Sequence, residues 1–116
     1  MAPDEEARNE PYIAILLYES ASDASDYVPL YREDVVLLWA ANPEAATRRA
    51  EQRGELAETS YRNRAGETIT WKLKHIIDVT SALEADLGVD ADLHSRHFRD
   101  YQAYRSFEPF LSGSIE

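Results

Sequence analysis

The stretch YRNRAGETITWKLKHIIDV, residues 61 to 79, lays out two extended runs joined by a tight turn. Asn63-Arg64-Ala65-Gly66 fits a type I turn, with Asn first, where its side chain bonds back to the backbone, and Gly fourth. Gly also supplies the positive φ that a bulge after such a turn requires. From Glu67 onward the alternation is regular. Ile69, Trp71, Leu73, His75, Ile77 and Val79 are expected on one face, and Thr68, Thr70, Lys72 and Lys74 on the other. The stretch predicts a β-hairpin whose second strand buries Trp71 under a helix.

On the N-terminal side, YIAILLYES (12–20) reads as a strand with apolar residues at both parities, the pattern of a central strand covered on each side. SASDASDYV (20–28) has turn chemistry and is expected as a solvated hairpin loop; the spaced acids and Gly of a calcium loop are missing. The next strand is LYREDVVLLWAA (30–41), with Val35, Leu37 and Trp39 facing away from Val36 and Leu38. Asn42-Pro43-Glu44 then starts a helix: an Asn cap, Pro at the first helical position and an acid in the first turn. Ala46, Ala50, Gly54 and Ala57 form a stripe of small residues along it, which lets a helix approach a sheet closely. Glu44 and Arg48 are spaced for an exposed i,i+4 pair.

Beyond the hairpin, residues 80–93 are expected as a short helical turn and acidic loop, and 94–101 as a final strand. Tyr101, Tyr104, Phe107 and Phe110 recur every third residue, a spacing that drifts round an α-helix, so a short helix or irregular arm laid across the domain is expected. The order strand–strand–helix–strand–strand implies an α+β fold, an antiparallel sheet packed on one face by one main helix. The organisation is an acidic tail (1–10), one domain (11–99) and a C-terminal arm (100–116).

The chain of 116 residues is long enough for one core. It has no cysteine, which excludes disulfides, thiolate metal sites and thiol nucleophiles. Its longest apolar run, Ile13 to Leu17, is too short to span a bilayer, and the acidic start is the opposite of a signal peptide; a cytoplasmic protein with no membrane association is expected. Against 12 basic side chains stand 22 acidic ones, for a net charge of −10, which repels nucleic-acid phosphates.

Chemistry-bearing residues are scattered. Glu67 has the buried-face parity but lies at the rim, where an arginine such as Arg32, or one from the helix, is its expected partner; the alternative is a carboxylate at the mouth of a cleft, suited to acid–base work. His75 shares the Trp71 face and is expected as a hydrogen-bonded core residue. His94 and His97 would share a face only on a helix, and no third metal ligand is evident, so neither a metal nor another cofactor is expected. No nucleophile motif, phosphate loop or dinucleotide fingerprint is present. The candidate ligand or partner surface is Glu33, Tyr61, Asn63, Glu67, Trp71 and His75, with no catalytic set among them.

The segments YIAILLYES, PLYREDVVLLWAANPEAA, SYRNRAGETITWKLKHIIDV and SRHF, within roughly residues 11 to 98, resemble the bacterial family of unknown function DUF4288. The pattern Tyr61-x-Asn63-x-x-Gly66-Glu67-x-x-x-Trp71 is the most specific part. The resemblance implies a small stand-alone bacterial domain and brings no activity, cofactor or catalytic residue with it. Three functions are carried from the residues. The first is a non-catalytic protein-interaction or regulatory module, of the immunity kind among others, whose acidity steers basic partners and which could pair as a homodimer. The second is a ligand-binding domain or small enzyme with a cleft around Glu33, Glu67, Trp71 and His75. The third is an acidic mimic of nucleic acid.

Overall fold

The computed structural model describes residues 9–108. Most of the N-terminal tail, and Phe110 of the aromatic series, lie outside them. The elements are β1 (Glu10–Ser22), β2 (Tyr31–Ala40), α1 (Pro43–Leu56), β3 (Thr59–Arg62), β4 (Thr68–Ser81) and α2 (Tyr101–Phe107). The strands form one antiparallel sheet in the order β2-β1-β4-β3, so β1 is central, as its two apolar faces demand.

Tyr12, Ala14, Leu16 and Tyr18 of β1 turn toward α1 and form the core with Leu38, Ala40, Ile69, Trp71, Ala46 and Ala50. The helix begins as its sequence dictates: the Asn42 side chain accepts the Ala45 N–H at 2.8 Å, with Pro43 in the first turn. Ala46, Ala50 and Gly54 are buried against the sheet, whereas Ala57 caps the helix C-terminus and is exposed, so the small-residue stripe is one residue shorter than expected. A Cβ at Gly54 would lie 2.6 Å from Cδ2 of Leu73; the absence of a side chain is what lets α1 come this near to β4. Glu44 and Arg48 do not form the expected pair, whereas Arg32–Asp34 and Lys74–Glu19 do form ion pairs.

β4 departs from strict alternation. Leu73 pairs with Tyr18 and His75 with Leu17, while Ile76 pairs with Leu16 and Asp78 with Ile15, leaving Lys74 and Ile77 as extra residues. Each bulge shifts the parity by one. Between the two, the expected order is reversed: Ile76 packs on the core, and His75 points to the opposite face beside Leu17 and is exposed. After the second bulge the original parity returns, and Val79 packs on the core as expected.

The chain after β4 forms neither the expected helical turn at 80–93 nor a strand at 94–101. It folds back on itself instead. The Leu83 N–H donates to the Leu93 carbonyl, and His94 Nδ1 lies 3.2 Å from the Thr80 hydroxyl. This brings residue 94 beside Thr80, the neighbour of the buried Ile13 on the face away from α1. The aromatic arm is the short helix α2, but Tyr101, Tyr104 and Phe107 are exposed rather than laid into the domain; Tyr104 stacks on Phe98, 4.7 Å between ring centroids.

Candidate functional site

The hairpin at 61–79 accounts for Asn63 and Glu67 without chemistry. Gly66 donates to the Asn63 carbonyl and takes φ +82°, the left-handed conformation that glycine adopts without strain. The Asn63 side chain accepts the Glu67 N–H at 2.9 Å and donates to the Glu67 carboxylate at 3.0 Å. Glu67 therefore pairs with the turn asparagine and not with an arginine. Tyr61 pairs with Ile69 at the short edge strand β3 and is half exposed.

The expected cleft of Glu33, Glu67, Trp71 and His75 is not assembled. Glu33 and His75 flank Leu17 from either side on the face away from α1. They are two strand spacings apart, roughly 10 Å. Trp71 lies on the α1 face, and Glu67 is spent in the turn. Among the described residues no three His, Asp or Glu side chains converge on a point that could hold a metal ion.

A concave site lies elsewhere, between α1 and the edge strand β2. This cleft of about 510 Å³ is floored by Tyr18, Val36 and Leu38 and walled by Arg49, Gln52, Arg53 and Leu56 of α1. Asp34 closes one end; its carboxylate lies 3.2 Å from the guanidinium of Arg32, which also sits 4.6 Å from the ring centre of Tyr18 and 5.0 Å from that of Trp71. Arg32, the expected partner of Glu67, is thus held by Asp34 and two aromatic faces. Burial pushes the Tyr18 phenol above its ordinary range, and Asp34 adds to this while Arg32 and Arg53 oppose it. The phenol is therefore a neutral group through the neutral pH range.

Arg49 and Arg53 stand one helical turn apart on the cleft wall, and neither has a carboxylate within ion-pairing distance among the described residues. Like charges at i,i+4 are mildly unfavourable. The last-turn position of Arg53 is favoured by the helix dipole, but Arg49, one turn earlier, has no such compensation. Reading the sequence for motifs passed over Tyr18, Asp34, Arg49 and Arg53, because no spacing rule links the two strand residues to the helix arginines. The signal available was the i,i+4 arginine pair in a strongly acidic chain.

No described helix is long and apolar enough to cross a membrane. The chain matches no curated protein and no solved structure. The model of the family described as a domain of unknown function, DUF4288, matches residues 11–95, a span that takes in β2, α1, β3 and β4 whole, and the chain belongs to that family.

Proposed function

We propose that the chain is a non-catalytic protein-interaction module that docks its partner along β2. The observation that carries this reading is the character of that edge. β2 is ten residues long and hydrogen-bonded to β1 on one side only, and it exposes Val35 (60%), Leu37 (40%) and Trp39 (43%) on the face away from α1. A long edge strand with a row of exposed apolar side chains is a template for another chain unless it is blunted, and charge here is confined to its first four residues. The other edge, β3, is only four residues long.

The test is recovery of partners from the native cells with the tagged chain and with Val35→Lys/Leu37→Lys. The reading expects a stoichiometric partner that is lost from the double variant, rebinds the wild-type chain when purified, and leaves the variant's circular dichroism unchanged. Recovery of no partner, or a partner indifferent to the two lysines, sinks it. Self-association along the same edge would cover the same side chains, and a light-scattering mass separates that case.

A further inference from the structure

The cleft between β2 and α1 has a property that neither its walls nor its floor explain. Four consecutive residues of β2, Val36, Leu37, Leu38 and Trp39, all line it. Successive side chains of a strand point to opposite faces, so a run of four borders one cavity only where that cavity follows the strand's edge. The cleft therefore runs along the outer backbone of β2, whose only strand partner among the described residues is β1. Backbone donors and acceptors of that edge, an apolar floor of Val36 and Leu38, and an apolar rim at the highly exposed Leu56 face one groove. The opposite wall carries Arg49 and Arg53, which have no carboxylate partner among the described residues, in a chain whose net charge is −10.

We propose that this groove binds an extended peptide segment bearing an acidic side chain, which adds to β2 as a fifth strand and anchors its carboxylate on Arg49 and Arg53. The proposal rests on the reading of β2 as the docking strand and names the class of partner. Main-chain hydrogen bonds to β2 supply sequence-independent affinity, and alternate side chains enter the groove. Those pointing toward α1 meet Val36, Leu38 and Leu56, and one of them is Asp or Glu, because a guanidinium pair accepts a carboxylate with charge-assisted hydrogen bonds. The overall negative charge discourages polyacidic segments, so a single acid among apolar residues is the expected pattern.

The experiment is selection of a phage-displayed random octapeptide library on the full chain, followed by anisotropy titration of the leading peptide. Enrichment of one acidic position flanked by alternating apolar positions is expected. Replacing that Glu by Gln, or Asp by Asn, weakens binding by about tenfold on the wild-type chain and leaves it unchanged on Arg49→Gln/Arg53→Gln. Strand addition further requires that N-methylation at every second residue of the peptide abolishes binding for one alternate set and spares the other. Selection of neutral sequences, an acid effect that survives in the arginine variant, tolerance of both methylation sets, or no peptide retained above background each overturn the proposal. So does a dimer through β2 that the selected peptide fails to dissociate. Both arginines are exposed, and a matching urea midpoint for the variant guards against misfolding. If a native partner is captured and then lost on Val35→Lys/Leu37→Lys while the peptide results fail, the docking strand stands and the groove assignment falls.

Discussion

Ser20 is fully buried, and its hydroxyl accepts the Leu30 N–H at 2.8 Å, lies 3.1 Å from the Leu30 carbonyl and shares a 2.6 Å hydrogen bond with Tyr27. One side chain thus closes the loop between β1 and β2, which the turn-rich sequence presents as merely solvated. Ser20→Ala strands a backbone donor, and a loss of about 1–3 kcal/mol is expected from urea denaturation. Asp23 contributes further, accepting the Thr68 N–H at 3.0 Å from forty-five residues away. Asn63→Ala removes both part-buried bonds to Glu67 and should cost about 1 kcal/mol by the same measurement. Glu67→Gln keeps a group able to accept from the Asn63 amide and should cost less than half of that. A larger loss from the glutamine variant would mean that Glu67 has a role beyond the turn. Asn63 and Gly66 were readable because a turn is decided within four residues. Ser20 was not, since nothing in ESAS announces that its hydroxyl meets residue 30.

The approach of α1 to β4 depends on Gly54. An alanine there gains roughly 1 kcal/mol of helix propensity but drives its methyl into Leu73, and overpacking of this kind costs about 1–3 kcal/mol. Gly54→Ala is therefore expected to destabilise the wild-type chain and to stabilise Leu73→Ala, a change of sign that a double-mutant cycle in urea will detect. Next to it, the Glu58 carboxylate accepts the Leu73 N–H at 3.0 Å, just past the last residue that β3 can pair. On the other face Lys74, an extra residue at a bulge, reaches Glu19 at 3.0 Å, and Tyr31 donates to the same carboxylate at 2.9 Å, so three strands meet there. The Lys74 hydrogen bond, and then that of Tyr31, hold the Glu19 carboxyl below its ordinary range; the same bonds push Lys74 and Tyr31 above theirs. A depressed carboxyl contributes at neutral pH and loses that contribution as pH falls through its folded value. The raised lysine and phenol lose theirs as pH rises through their folded values. Glu19→Gln should flatten both limbs of stability against pH, slightly, because the cluster is solvent-exposed.

The whole chain carries a net charge of −10, with 22 acidic side chains against 12 basic ones, so unscreened repulsion among its acids opposes folding. Raising sodium chloride from 10 to 200 mM should raise the melting temperature, by roughly a few degrees, because added ions shorten the range of that repulsion. A fall would show that specific attractive pairs dominate. The four strands, the capped helix, the turn and the α+β class were all legible in the chain, because each depends on residues a few positions apart: parity for a strand, Asn-Pro-Glu for a helix start, Asn and Gly for a turn. Parity also identified Val35, Leu37 and Trp39 as a set facing away from Val36 and Leu38. What parity leaves open is which strand lies at an edge, and so whether that set is covered. His75 moved from the core face to the outer one because a bulge is a property of two paired strands, here β1 and β4, and not of β4 alone. The groove of Arg49 and Arg53 beside β2 exists only once the helix has crossed the sheet. Local covalent geometry and hydrophobic periodicity are written into neighbouring residues. Edges, bulges and clefts arise from contacts between residues far apart in the chain, and those the folded molecule alone supplies.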